Sequence, residues 1–202
     1  MPELISTRNP DRSRTAILQA AEELFAEHGP NGVSLAEIGE RAGVSRGLPS
    51  YFFSDKETLY QTVVEQAAAN LRSALAEVME ASQDSPPFEV LGKLADCYMD
   101  YLASHPNIIR LLQWNTLGST AKSGAPWASR VPKRLFDEVL ESLSKRMVSE
   151  ARNGADVYDL LLSVVSVCLY PFQIRPFDPG ELQRRKKHIR TLVSMLSRTG
   201  DE

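Results

Sequence analysis

The stretch GVSRGLPSYFFSDKE, Gly43 to Glu57, combines two glycines, an arginine, a proline and three consecutive aromatics. That mixture is too irregular for a core helix and too apolar for a solvated one. Its neighbours supply the context. Upstream, Ile17, Ala20, Ala21, Leu24 and Phe25 recur at helical spacing, and HGPNG, His28 to Gly32, ends that helix. Ser34, with Glu37 three residues on, spells a capping box for a second helix that turns Leu35, Ile38 and Ala42 inward and stops at Gly43. A third short helix is expected to begin near Ser45. Ser54 and Glu57 form a second capping box, expected to open a longer fourth helix.

Two short helices joined by a glycine-containing turn have helix-turn-helix proportions. In that motif the second helix enters the major groove and its first residues reach base edges. Each odd residue then has a task. Ser45 can cap the helix and bond a phosphate, and Arg46 can fork onto a guanine edge. Gly47 allows close backbone approach, while Leu48 and Pro49 offer apolar contact, for instance to a thymine methyl. Ser50 and Tyr51 carry hydroxyls toward backbone or base. Phe53 is expected to plug the helix into a small core, and Lys56 to set its ammonium on a phosphate.

Residues 14 to 60 resemble the DNA-binding region of the tetracycline-repressor (TetR) family. The resemblance rests on Ile-Leu-x-Ala-Ala-x-x-Leu-Phe from Ile17, a glycine before the second helix, Ile-x-x-x-Ala-Gly-Val-Ser from Ile38, and aromatic-Phe-x-x-Lys-Glu-x-Leu from Phe52. It implies DNA contacts from Ser34, Arg46, Ser50, Tyr51 and Lys56. Three positions depart from the family's habit. Phe52 replaces a frequent histidine, Leu48 a common threonine or other polar residue, and Ala36 an occasional arginine.

Bulk charge does not drive this chemistry. The chain of 202 residues carries a net charge of −3, and residues 1 to 54 hold five arginines against seven carboxylates. DNA affinity must come from placement of arginines and helix ends on one face, with a salt dependence shallower than that of a basic domain. At 43% hydrophobic and 24% charged, the composition is that of a soluble globular protein.

Further along, helical spacing continues and strand alternation is almost absent. The expected architecture is all-α, with a three-helix helix-turn-helix domain over residues 1–55 and a six-helix domain over 56–202 for ligand binding and dimerisation. Helices are expected at about Phe88 to Ser104, Pro106 to Leu117, Pro132 to Arg152, Asp156 to Tyr170 and Glu181 to Ser197. The Asp156 to Tyr170 helix is apolar almost all round and needs cover on two sides. Either it is the core of a monomer or a partner subunit covers one side. By the resemblance, the last two helices pair with their copies in a four-helix bundle, through Leu161, Val164, Val165, Leu182, Ile189, Leu192, Val193 and Leu196. The basic run QRRKKHIR, Gln183 to Arg190, reads as a solvated face.

The resemblance also implies a small-molecule pocket in the central helices, for a hydrophobic or amphipathic effector that spreads the two DNA-reading heads. Tyr98, Tyr101, Gln113, Trp114, Trp127 and Phe136 are candidates to line it, or core filling. The fourth helix, touching DNA at its start and the pocket further on, is the implied link. The loop Gly118 to Ser129 is a candidate gate.

Other classes fit poorly. Cys97 and Cys168 lie far apart outside any CxxC pattern, so neither a disulfide framework nor a zinc site is expected. His28, His105 and His188 are isolated, and HExxH, GxSxG and glycine-rich phosphate loops are absent from the sequence. No catalysis, metal or cofactor is expected. The polar N-terminus carries no signal-peptide pattern, and the apolar run Leu160 to Phe172 is short for a bilayer. The expectation is a cytoplasmic repressor that binds a palindromic double-stranded operator as a homodimer, with no membrane partner. The competing reading is a helical small-molecule-binding or adaptor protein without DNA affinity.

Overall fold

Nearly continuous helical spacing yields helices throughout the computed structural model, which describes residues 10–119, 131–147, 157–174 and 178–198. In chain order these are α1 (Pro10–His28), α2 (Leu35–Arg41), α3 (Leu48–Phe53), α4 (Lys56–Ala81), α5 (Pro87–Ser104), α6 (Pro106–Ser119), α7 (Val131–Met147), α8 (Val157–Ile174) and α9 (Pro179–Arg198). The all-α class stands. Trp127, most of the loop from Gly118 to Ser129 and the expected helix end at Asn153-Gly154 lie outside the described residues.

The chain divides into two compact units, Met1–Ala67 with Arg110–Val131, and Ala68–Ile109 with Pro132–Glu202. Both α4 and α6 therefore contribute residues to each unit.

In the first unit α1 buries the face read from its spacing, with Ile17, Ala21 and Phe25 fully enclosed. Phe25 meets Tyr60 of α4 edge-on, ring centres 5.3 Å apart. The buried Tyr60 hydroxyl donates to the Leu111 carbonyl of α6 at 3.2 Å, and burial raises its pKa. Trp114, on the same helix, lies against Gly29 just after α1. A Cβ built on Gly29 would fall 2.9 Å from the indole, and Gly29 has φ +72°. Trp114, expected in a ligand pocket, thus packs on the turn after α1.

In the second unit α5 packs against α8 and α9. Proline inside α8 is the unexpected feature. The helix does not stop at Tyr170 but runs through Pro171 to Ile174. Pro171 lacks the N–H that would bond the Val167 carbonyl one turn back. Arg185 of α9 takes that role, its Nη2 donating to the Val167 oxygen at 3.1 Å.

The basic run is accordingly not just a solvated face. Lys186 is only 8% exposed and pairs with Asp100 at 2.7 Å, and Arg190 pairs with Asp96 at 3.3 Å. The two pairs sit one helical turn apart and tie α9 to α5, while Arg184, Lys187 and His188 face solvent. Burial raises the Asp96 pKa, with Arg190 and Lys186 opposing the shift. Replacing Arg185 with alanine strands a carbonyl in a packed interface and should cost about 1–3 kcal/mol. In a Pro171→Ala background, where residue 171 regains its N–H, the same substitution should cost less than half as much. Equal costs in urea melts of both backgrounds would disprove this role of Arg185.

The residues expected to meet a partner subunit differ in their exposure. Leu161, Val164, Ile189 and Val193 are buried within their own unit, Val165 and Leu182 are half-buried, and the Leu196 side chain lies outside the described residues. Leu192, also expected there, is exposed, and it is joined by Met195 of α9 and by a four-residue stripe on α8, Tyr158, Leu162, Tyr170 (64% exposed) and Ile174 (66% exposed). An all-round apolar helix gives no clue to which side its own chain covers. Its 18 residues, with mean hydropathy 1.6, make α8 long and apolar enough to cross a membrane by length and composition, and 22% of it is buried.

Candidate nucleic-acid interface

α2 begins at the capping box anticipated for it. Glu37 N–H donates to Ser34 Oγ at 3.2 Å, and Ser34 N–H to Glu37 Oε2 at 2.7 Å. The Ser34 hydroxyl also donates to that carboxylate at 2.7 Å, so its proton is engaged. These bonds from Ser34 hold the Glu37 carboxyl below its ordinary pKa.

The turn after α2 needs a left-handed residue, and Gly43 supplies it at φ +69°. Val44 N–H returns to the Gly39 carbonyl at 2.9 Å. Gly39 itself is where the two helices touch. A Cβ there would lie 3.0 Å from the Ser45 carbonyl oxygen, 3.2 Å from Arg46 Cα and 3.3 Å from Pro49 Cδ. An isolated glycine within a helical pattern is the available sequence signal of such an approach.

α3 starts three residues later than expected. Ser45 does not cap it through its side chain. Ser45 to Leu48 form a turn closed by Leu48 N–H to the Ser45 carbonyl at 3.0 Å, and Gly47 occupies the cap position without a side-chain bond. Pro49 sits in the first turn, where its missing N–H costs nothing. Pro49 is buried against Gly39, so the apolar DNA contact expected of it is corrected to a packing role. Phe53 is buried too, with the Arg14 guanidinium 5.2 Å above its ring.

These two anchors fix what α3 presents. Tyr51 is 81% exposed, its ring braced edge-on by Phe52 at 5.5 Å. Ser45, Arg46, Gly47 and Ser50 are exposed, and Leu48 is half-buried. A Cβ at Gly47 would meet nothing within 4 Å, so the backbone there is open to an approaching surface. The second capping box is also corrected. Ser54 ends α3 with φ 61°, and Asp55 caps α4, its Oδ1 accepting from Thr58 N–H at 2.7 Å. That bond lowers the Asp55 pKa. Lys56, half-buried, follows at the first position of α4.

One carboxylate of α1 and one of α2 meet arginines. Arg41 pairs with Glu23 at 3.3 Å and Arg46 with Glu40 at 3.1 Å. Sequence spacing carried no signal of the second pair, which depends on the crossing of α2 and α3.

The expected pocket residues are divided between the two units. Gln113 and Trp114 belong to the first unit, while Tyr98, Tyr101 and Phe136 belong to the second. There Phe136 meets Tyr158 edge-on at 5.5 Å, and Tyr101 stacks on His105 at 4.2 Å. Burial raises the pKa of the half-buried Tyr98. Tyr101 also borders a groove of about 560 Å³ with Ala74 and Val78 of α4, Lys93, Asp96, Cys97, Asp100 and Ser104 of α5, and Lys186 of α9. Burial raises the Cys97 thiol and pushes Cys168 up to about 12, so neither is a ready thiolate.

Residues 17–63 match the family model of bacterial regulatory proteins, tetR family. The transcriptional repressor AcnR of Corynebacterium glutamicum is 35% identical over 82 residues, 38% of this chain and 44% of AcnR. The chain thus spans less than half the length of that relative. Among solved structures, FadR of Bacillus subtilis in complex with stearoyl-CoA superposes with TM-score 0.72 at 17% identity, covering 89% of this chain and 97% of FadR. The TetR-family regulator PfmR of Thermus thermophilus gives 0.66 at 21% identity, covering 92% of this chain and 98% of PfmR.

Proposed function

From a chain that belongs, through residues 17–63, to the tetR family of bacterial regulatory proteins, we infer a DNA-binding transcriptional regulator rather than an enzyme. It represses by binding a palindromic operator as a homodimer, and a small molecule releases it. One observation carries the DNA reading: buried Pro49 and Phe53 anchor a six-residue α3 so that Tyr51, Ser50 and Arg46 stand outward. At 81% exposed, Tyr51 adds little to the core of its own unit. Ser45 and Gly47 bring the turn close to the duplex, and Lys56 meets a phosphate at the start of α4. Ser34 reaches a phosphate only by redirecting its hydroxyl from Glu37.

The apolar stripe on α8 and α9 supports pairing of two copies, which spaces two recognition helices for two half-sites. The groove beside α4 supports an amphipathic effector, because Ala74 and Val78 lie next to two lysines and two aspartates. FadR is solved with an acyl-CoA, and an effector of comparable amphipathic character suits these side chains. Its binding would act through α4, whose first turn carries Lys56, as a coupling free energy between the two sites.

The reading is tested by selecting duplexes from a random-sequence pool with the purified chain. A palindromic sequence should emerge. Arg46→Ala should weaken binding by about 1–3 kcal/mol and relax preference at one base pair per half-site, whereas Lys56→Ala should weaken all sequences evenly. A pool in which nothing is enriched would refute DNA recognition.

A further inference from the structure

We propose that Glu40 determines how selectively the recognition helix reads DNA, by positioning Arg46; this rests on the DNA-binding reading above. Arg46 is the exposed cation at the entrance of α3, and its Nη2 donates to Glu40 Oε2 at 3.1 Å. An isolated surface ion pair would carry little weight. Here the backbones beneath the pair are themselves in contact. A Cβ on Gly39 would lie 3.2 Å from Arg46 Cα, and Val44 N–H bonds the Gly39 carbonyl. Glu40 follows Gly39 directly, so the crossing of α2 and α3 holds Glu40 and Arg46 as neighbours before their side chains meet. The usual entropy cost of joining two long side chains is reduced.

Two consequences follow for a duplex. Both side chains remain largely exposed, and a guanidinium held on one nitrogen samples fewer orientations and offers its remaining N–H groups over a narrower range of directions. That suits a guanine edge, which demands bidentate geometry, better than a phosphate, which accepts from any direction. A carboxylate at the entrance of α3 also repels the phosphates of any sequence. Glu40 therefore penalises undifferentiated contact while leaving the oriented base contact available. Specificity of this kind comes from an element that disfavours the wrong partner.

Glu40→Gln keeps the size and an acceptor oxygen but removes the charge. Its affinity should be compared with wild type on a duplex that the wild-type chain enriches from a random pool and on a scrambled duplex of equal composition. The scrambled duplex should bind about three- to tenfold tighter, and the slope of log affinity against log salt should steepen by about one. The selected duplex should change less, so the ratio between them falls. In an Arg46→Ala background, Glu40→Gln should leave that ratio unmoved. An unchanged ratio and slope in the single variant, or an equal fall in both backgrounds, overturns the proposal. A wild-type chain that enriches no duplex instead overturns the DNA-binding reading, and the inference with it.

Discussion

Gly29→Ala should destabilise the first unit by about 2–5 kcal/mol, a large share of the ~5–15 kcal/mol that holds a typical domain folded. Two independent penalties meet at this residue. Its φ of +72° lies in the left-handed region, where a Cβ costs about 1–2 kcal/mol. The new methyl would also stand 2.9 Å from the Trp114 indole. Real Cβ contacts are not that short, so ring or turn must move, and overpacking of this sort costs about 1–3 kcal/mol. Urea unfolding followed by far-ultraviolet circular dichroism measures the sum. Shortening the indole separates the parts. In a Trp114→Ala background only the backbone penalty remains, so Gly29→Ala should cost about half as much there. A cost below about 1 kcal/mol in the native background would show that α6 and the turn after α1 are loosely apposed.

A charge at Leu162 should have the second large effect, on assembly rather than folding. Leu162 belongs to the outward stripe of α8 and is exposed in the single chain. Leu162→Glu should therefore leave helicity and melting of the isolated chain near wild type. Burying an unpaired carboxylate at a subunit boundary costs several kcal/mol. For the homodimer proposed above, sedimentation should then show a monomer at concentrations where the wild-type chain pairs. Operator affinity should fall by about 100-fold or more, because the second half-site loses the advantage of a tethered head. By contrast, Leu161→Glu should damage folding itself, since Leu161 is enclosed by its own unit. A Leu162→Glu chain that sediments as wild type would place the partner surface elsewhere.

Local chemistry explains why much of the first unit was readable. The Ile17 to Phe25 face, the Ser34–Glu37 box and the left-handed Gly43 are all resolved within a few residues of chain. Where two local solutions compete, residue order alone does not choose between them. Ser54 with Glu57 and Asp55 with Thr58 both offer a cap for α4, and the structure uses Asp55. Ser45 could have capped α3, but the Pro49 ring against Gly39 places the helix start at Leu48. The outward placement of Arg46, Ser50 and Tyr51 agrees with the order of residues alone. The Glu40 pairing does not, because it joins two helices at a crossing whose angle no spacing encodes.

By itself the chain order determined that this protein is helical, where its early helices begin and stop, and which short helix projects polar and aromatic groups. Those outcomes depend on hydrogen bonds and periodicities that span a single turn or two. Only the tertiary structure decided which side of α8 is covered, that Arg185 completes a helix interrupted by Pro171, and that Trp114 seals the turn at Gly29. Each of these joins residues distant in sequence, and a surface that is apolar on every side can be satisfied by any of several neighbours until packing selects one.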